Sequence, residues 1–216
     1  TTSNSHRGDY DLCYNMDVEV ENARKAIAHF VNCDYKEVVF TSGDTMGINL
    51  VAWGYAIKYL KPGDEVLITE AEHASNVLPW YKAAEMTGAT VKFIPLTEDG
   101  RITAENLEKV INKKTKLVAV AQVGNVLGYQ TDVKALAKVC HSHNALIMVD
   151  GAQSVPHIKT DFKDLDIDFL VFSAHKMCGP TGIGCVVGKY DLLDKMDPFM
   201  TGGGMNAKFD MCGHIE

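Results

Sequence analysis

A single lysine follows an apolar run late in the sequence, at a place where its amine could react with a carbonyl carbon. Residues 169–172 are apolar and β-forming, Ser173 and His175 lie just before Lys176, and a glycine-rich loop comes next. This pattern predicts a strand that ends just before the lysine. Because burial can lower the pKa of an amine, such a lysine can become a nucleophile, although a surface lysine in a loop is the alternative.

Two other predicted strands end in ionisable side chains. Asp150 follows the apolar run 145–149, so its carboxylate should lie at the edge of a low-dielectric core, where it needs a partner. A helix cap or a magnesium ligand would also explain it. His73 follows the strand 65–69, and its ring could stack on an aromatic ligand, move protons near neutral pH or be structural.

The segment from Thr41 to Gly47 is a candidate phosphate site. It places a glycine, a serine and Thr45 between a predicted strand and a predicted helix, where free N–H groups lie at the positive end of the helix dipole. An ordinary N-cap is the alternative. The segment lacks the Gly-Lys-Ser/Thr ending of a Walker A loop, and no Gly-x-Gly-x-x-Gly follows the first strand, which disfavours a dinucleotide.

Strands and helices alternate along the chain, which predicts an α/β fold with three layers: a mostly parallel sheet between two layers of helices. In such sheets, ligands bind outside the carboxyl ends of the strands. The predicted strands are 38–41, 65–69, 90–95, 116–122, 145–149, 169–172 and 184–188, and the predicted helices are 18–32, 46–60, one that ends near Met86, 103–112 and 132–141. The side chains expected to converge are Thr45, His73, Asn125, Asp150, Gln153 and Lys176.

Together these residues match the requirements of pyridoxal phosphate. That cofactor needs a lysine that bonds to its aldehyde, an acid that pairs with its ring nitrogen, a stacking ring and a phosphate cradle. We therefore predict that Lys176 holds the aldehyde as an internal imine and that Asp150 keeps the pyridinium protonated.

Composition narrows the class of protein. The 216 residues are 46% hydrophobic, which is enough for a core, and we expect an N-terminal arm (1–17) and one domain (18–216). A net charge of -7 without a basic cluster argues against nucleic-acid binding, and no apolar run approaches the roughly 18 residues of a membrane span. Six scattered cysteines favour a reducing compartment, the cytoplasm or an organelle matrix. The run 140–143 has poor spacing for zinc, and we expect no metal.

The sequence resembles the class V pyridoxal phosphate enzymes of the aspartate aminotransferase superfamily (fold type I), in particular the cysteine desulfurase and selenocysteine lyase group. The matching stretches span nearly the whole chain, in the order of the family. They are His6-Arg7-Gly8, Phe40-Thr41-Ser42-Gly43 with Thr45, Gly47-Ile48-Asn49-Leu50-Val51, Glu72-His73, Gly124-Asn125-Val126-Leu127-Gly128, Val149-Asp150-Gly151-Ala152-Gln153 and Phe172-Ser173-Ala174-His175-Lys176 with Gly179-Pro180-Thr181-Gly182-Ile183-Gly184.

The resemblance implies a role for each matching residue. Lys176 would carry the cofactor and move protons, and His73 would stack on the ring and act in acid–base steps. The remaining roles are pairing with the pyridine nitrogen for Asp150, contact with the ring hydroxyl for Gln153, phosphate binding for Thr45, Ser173 and His175, contact with substrate or ring for Asn125, and the entrance of the site for His6 and Arg7.

The resemblance also implies a reaction, in which L-cysteine (or selenocysteine) becomes alanine. Sulfur would stay as a persulfide on an enzyme cysteine and pass through an acceptor protein to iron–sulfur cluster assembly, within a homodimer. In the family, the persulfide cysteine and the arginine that binds the substrate carboxylate lie well downstream of the glycine run 202–204, so we expect a truncated large domain without its C-terminal small domain. An aminotransferase, an epimerase, a kynureninase-like enzyme or an inactive scaffold remain alternatives. Asp44 stands where the family usually has threonine.

Overall fold

The computed structural model of the chain describes residues 8 and 10–202. Seven strands among these residues form one sheet in the order β1-β7-β6-β5-β4-β2-β3, in which β7 runs antiparallel to both of its neighbours and all other pairs are parallel. The prediction of a mostly parallel sheet is therefore confirmed. The strands are β1 (Val38–Thr41), β2 (Glu65–Ile68), β3 (Thr90–Phe93), β4 (Thr115–Ala121), β5 (Leu146–Asp150), β6 (Phe169–Ser173) and β7 (Gly184–Gly188).

Helices cover both faces of this sheet. The turn Ala52–Ala56 is π-helical and joins the second helix to the third, so the predicted helix 46–60 is present as one continuous rod with a widened turn. The described helices are α1 (Asp11–Val31), α2 (Asp44–Val51), α3 (Ile57–Tyr59), α4 (Leu78–Thr87), α5 (Ala104–Glu108), α6 (Val133–Ser142), α7 (Phe162–Leu165) and α8 (Tyr190–Leu193). None of the helices in the described part is long and apolar enough to cross a membrane.

Alternate residues of the central strands enter two separate cores. Leu170 and Phe172 of β6 pack in a cluster with residues of α1 and α6, whereas Phe169 and Val171 pack in a cluster with residues of α2 and α4. Successive side chains of a strand point to opposite faces, so the two clusters lie on opposite sides of the sheet. This arrangement confirms the three layers.

The first helix begins earlier than the sequence predicted. Helix α1 starts at Asp11, inside the segment 1–17 that was expected to be an irregular arm, and not at Val18. Its first turn buries Cys13 completely, while Asp11 adds the negative charge that a helix N-terminus favours. The prediction of irregular structure for residues 11–17 was therefore wrong. The buried side chain of Cys13 extends the apolar face of the helix to its N-terminal turn.

Helix α5 is shorter than predicted, because Asn112 forms a turn with the residues around it. The helix ends at Glu108 and not at residue 112. The side chain of Asn112 donates to Glu65 Oε2 (2.8 Å) and accepts from the backbone N–H of Lys114 (2.9 Å). Asparagine competes with helical hydrogen bonds in this way, so the local turn replaced the last helical turn.

Two glycines allow elements to approach closely beneath the loop between β1 and α2. A Cβ at Gly47 would collide with Val171 Cγ1 and lie 2.9 Å from Val186 Cγ2, so only glycine lets α2 rest directly on β6 and β7. A Cβ at Gly184 would lie 2.6 Å from the Cα of Gly43. These contacts fix where α2 begins relative to the ends of the central strands.

A buried carboxylate joins three elements at the amino ends of the central strands. Asp168, with a side chain 3% exposed, accepts from the backbone N–H of Ile147 (2.8 Å) and contacts His141 Nε2 (2.9 Å) and Lys189 Nζ (2.9 Å). Every one of these contacts compensates the cost of burying the charge. Asp168 thus connects the start of β6 to β5, α6 and the segment after β7.

We expect Asp168→Ala to lower the free energy of unfolding by about 3 kcal/mol, because it leaves a buried N–H, the His141 ring and the Lys189 ammonium without their acceptor. Urea denaturation monitored by circular dichroism measures this loss. The matched control is Asp164→Ala, which removes an ion pair with Lys134 whose side chains are 63% and 57% exposed and should cost less than about 1 kcal/mol. Equal losses in the two variants would contradict the structural role of Asp168.

Candidate active site

A cavity of about 530 Å³ lies where the carboxyl ends of β4, β5 and β6 meet the start of α2. This volume lies within the range of small-molecule sites. Its lining includes eight of the predicted site residues: Thr45, His73, Asn125, Asp150, Gln153, Ser173, His175 and Lys176. The other two, His6 and Arg7, lie outside the described residues.

Asp150 ends β5 inside the core and forms the floor of the cavity. It is 5% exposed, and its Oδ1 accepts from the backbone N–H of Ala152 (2.9 Å). Burial raises the pKa of this carboxyl, against the lowering effects of that hydrogen bond and of the charges of Lys176 and His73. A buried acid in this state is stabilised by any cation placed against it.

Lys176 lies in the single helical turn Ala174–Met177 that follows β6. The turn is closed by a hydrogen bond from the N–H of Gly179 to the carbonyl of Ala174 (2.9 Å), and the next residue, Cys178, takes a left-handed conformation with φ 62°. The prediction placed the lysine at the exit of a strand, and the structure has it there, half-buried and facing the same cavity as Asp150.

Hydroxyl and backbone donors cluster at the other end of the cavity. The Oγ of Ser173 accepts from the backbone N–H of Asp44 (2.7 Å), which joins the end of β6 to the first residue of α2. Thr45 and His175 line the same end. Hydroxyl groups at the N-terminus of a helix suit an anion.

His73 is held by a residue that the sequence analysis missed. The hydroxyl of Ser75 lies 3.0 Å from His73 Nδ1 and 2.9 Å from Thr45 Oγ1, and the backbone N–H of Ser75 donates to the same ring nitrogen (3.2 Å). Ser75 therefore bridges the predicted ring-stacking residue and the predicted phosphate residue. Only its position two residues after the histidine hinted at this role.

Two amide side chains in the lining of the cavity bond to one another. Gln153 Nε2 donates to Asn125 Oδ1 (2.7 Å), which connects the end of β5 to the loop after β4. Both residues were predicted to face a ligand, and here they bond to one another.

The model of the aminotransferase class-V family matches residues 1–215. The chain belongs to this family. It is 48% identical over 204 residues to proteins named probable cysteine desulfurase in Halalkalibacterium halodurans and Staphylococcus aureus, covering 94% of this chain but 50% and 49% of those proteins. The chain spans about half the length of the curated relatives it matches.

Solved structures agree with the fold of this class-V chain. It superposes on the cysteine desulfurase CsdA of Escherichia coli with a TM-score of 0.90 at 38% identity, over 99% of this chain and 54% of that one. The apo cysteine desulfurase of Thermococcus onnurineus gives a TM-score of 0.91 at 37% identity, over 98% and 53% of the two chains. These similarities confirm the predicted fold type.

Glu72 belongs to a stretch that the sequence analysis singled out, but its role was not predicted. Its carboxylate accepts from Thr69 Oγ1 (2.7 Å) and from Asn76 Nδ2 (2.8 Å), and Asn76 in turn accepts from the indole N–H of the fully buried Trp80 (2.9 Å). Burial raises the pKa of Glu72 to about 7, while the two side-chain hydrogen bonds lower it. This network fixes the loop that carries His73.

A larger cavity of about 630 Å³ adjoins the site across Ala121. Its lining includes Glu72, Leu127 and the guanidinium of Arg101, which lies 4.1 Å from the centroid of the Tyr129 ring. No lysine or histidine is among the described residues that line it. Of these two cavities, the smaller is therefore the one whose described lining holds a lysine able to bond to a carbonyl carbon. Nor does any group of three or more histidine, cysteine or acidic residues in the described part form a candidate metal site.

We expect Glu72→Gln to flatten the pH dependence of stability. The folded carboxyl keeps its proton up to about pH 7, whereas the unfolded one loses it near its ordinary value of 4.5, so the free energy of unfolding falls as pH rises through this window. Across this window the wild type should lose about 3 kcal/mol of its free energy of unfolding, and the glutamine variant should not show this loss. Urea unfolding across this range measures the slope, with Glu70→Gln at the exposed neighbouring position as the control. Identical slopes in wild type and Glu72→Gln would show that Glu72 is ionised throughout.

Proposed function

We propose that this chain is the cofactor-binding part of a pyridoxal phosphate-dependent cysteine desulfurase. The observation that carries the proposal is one cavity in a class-V chain that holds Lys176, a buried Asp150 and an anion-binding end formed by Thr45, Ser173 and His175. The relatives named probable cysteine desulfurase support the choice of substrate.

The side chains around the cavity fit the cofactor. The buried carboxyl of Asp150 needs a cation, and a protonated pyridine nitrogen would provide it. The hydroxyls of Thr45 and Ser173 and the ring of His175 would donate to the phosphate, next to the N-terminus of α2. When bound, pyridoxal phosphate supplies an electron sink for negative charge at the α-carbon of an amino acid.

Lys176 and His73 would move the protons. In this proposal Nζ of Lys176 would hold the aldehyde carbon of the cofactor, and with a substrate bound the same amine would take the proton from the α-carbon of the amino acid. His73 would lie against the ring. Its Nδ1 accepts from the Ser75 N–H, which leaves Nε2 to carry the proton of the neutral ring. Gln153 would contact the ring hydroxyl, and Asn125 the ring or substrate.

The buried thiols are poor acceptors for sulfur. Burial raises the pKa of Cys33 and Cys140 to about 12 and that of Cys185 to about 11, so these three remain protonated near neutral pH. A thiolate is the nucleophile in sulfur transfer. We place the persulfide cysteine and the arginine for the substrate carboxylate in a further segment of the protein, because the chain matches only about half the length of its relatives.

The rest of the proposal concerns the whole protein. Sulfur would pass from the persulfide to an acceptor protein and on to iron–sulfur cluster assembly, and the protein would act as a homodimer in the cytoplasm or an organelle matrix. His6 and Arg7 would lie at the entrance of the site.

We expect Lys176→Ala to abolish covalent attachment of pyridoxal phosphate. Without the amine, the cofactor should not be trapped by borohydride reduction, and the visible absorbance band of the lysine-bound cofactor should be absent. The control is Lys138→Ala, which changes an exposed lysine of α6 and should leave trapping unchanged. Trapping of the cofactor on Lys176→Ala to the wild-type extent would rule out Lys176 as the attachment site.

The products distinguish the desulfurase from other class-V activities. With L-cysteine, the protein expressed from its native reading frame should form alanine and, with a reductant, an equal amount of sulfide. An aminotransferase would instead form a keto acid. Mass spectrometry of the products decides between them, and selenocysteine in a parallel reaction measures the preference between sulfur and selenium. Cofactor binding without turnover of either substrate would favour the scaffold.

A further inference from the structure

Asp44 is a buried acid beside the anion-binding end of the cavity, and the functions described above do not use it. It is the first residue of α2 and precedes Thr45, and its backbone N–H donates to Ser173 Oγ (2.7 Å). Its side chain lines the cavity but is only 9% exposed. Within the described part of the chain, its Oδ1 is buried and has no hydrogen-bond partner.

The ionisable groups around Asp44 come from three elements. Asp150 at the end of β5 repels its charged form, and Lys176 in the turn after β6 attracts it. His175, in that same turn, and His73, in the loop after β2, line the same cavity, and Glu72 of that loop interacts with the charge of Asp150. One lysine therefore faces two buried aspartates.

Burial decides the protonation of Asp44. The N-terminus of a helix favours a negative charge, and so does Lys176, but burial together with Asp150 outweighs them and raises the pKa of Asp44 to about 7. A proton on this carboxyl removes the need to bury a second negative charge next to Asp150.

Resting on the proposed function, we propose that Asp44 gates the phosphate of pyridoxal phosphate: the protonated carboxyl admits the dianion beside Thr45 and Ser173, and the ionised carboxylate repels it. The geometry carries this in two ways: the bond from the backbone N–H of Asp44 to Ser173 Oγ holds residue 44 next to two of the groups proposed to hold the phosphate, and the buried carboxyl lines the same cavity with its Oδ1 unpartnered among the described residues. Affinity for the cofactor is then set by proton occupancy at one residue.

The sign of the pH dependence follows directly. Below about pH 7 Asp44 is neutral and does not oppose the phosphate, and above it each further pH unit leaves about tenfold fewer molecules in the admitting form. The phosphate titrates equally in every variant, so its titration cancels in a ratio. The ratio of dissociation constants between wild type and a variant with a neutral residue at position 44 therefore reports the charge of Asp44 together with its interactions with Asp150 and Lys176.

The experiment compares wild type, Asp44→Asn and Asp44→Thr, each expressed from the native reading frame, by equilibrium dialysis of pyridoxal phosphate from about pH 6 to pH 8.5. We expect the ratio of the wild-type to the variant dissociation constant to be near one at the acid end and to rise about tenfold or more at the alkaline end. The rise of the ratio with pH should be the same for both variants, because both residues are neutral, even if the threonine hydroxyl changes the affinity itself, and so two substitutions protect against misfolding of one. Asp191→Asn, which removes an exposed aspartate of α8, should track the wild type.

A parallel titration with pyridoxal tests whether Asp44 acts at the phosphate. Pyridoxal lacks that group, so its ratio should stay flat with pH. A flat ratio for pyridoxal phosphate, or an equal rise for both compounds, would overturn the inference while leaving the proposed function intact. Absence of cofactor binding in every variant at every pH, with no trapping on Lys176, would instead reject the proposed function.

Discussion

The cost of burying carboxylates beside a single amine governs the chemistry of this structure. Asp150 and Asp44 are both more than nine-tenths buried, and Lys176 is the lysine that lines their cavity. Two charged acids cannot share one cation in a low-dielectric site without a large penalty, so at least one must be protonated or meet a further positive group. Burial is the largest cause of the raised pKa of each acid, and for Asp44 the charge of Asp150 raises the pKa further. Such a site favours a ligand that places a positive charge against one of these acids while the other acid stays protonated.

Buried acids are fully paired at the amino ends of the central strands but not at the carboxyl ends. At the amino ends of β5 and β6, Asp168 meets a backbone N–H, a histidine and a lysine, so its charge is fully compensated within the protein. At the carboxyl ends, Asp150 accepts a backbone N–H and Asp44 Oδ1 accepts nothing from the described residues. The central strands thus begin beside an acid whose charge is paired within the protein and end at a cavity whose two buried acids lack such compensation. The first acid can stabilise the fold, and the other two leave a charge requirement that a ligand could meet.

The sequence predicted the strands and their ends better than the links between them. Buried parallel strands are short apolar runs, so Asp150 and Lys176 could be placed at strand exits from the pattern alone. Ser75 could not, because its role depends on Thr45 arriving from a different strand. The burial of Glu72 likewise depends on Asn76 and Trp80, which a linear reading does not bring together. Helix ends were wrong where a single side chain decided them, as Cys13 did for α1 and Asn112 for α5.

The hydrogen bond between Asn125 and Gln153 limits how much either amide can add to the affinity for a ligand. Both amides are already paired, so contact with a ligand would exchange one hydrogen bond for another and add only about 1 kcal/mol. Asp150 differs from the amides, because among the described residues no cation lies as close to it as the two amides lie to one another. It would therefore gain more from a cation that a ligand brings. In the proposed function, affinity for a ring with a positive nitrogen would therefore rest on the charge of Asp150 and on the proposed bond to Lys176, while the amide pair would align the ring at little energetic cost. Substitution of either amide should then change how the ligand reacts more than how tightly it is held.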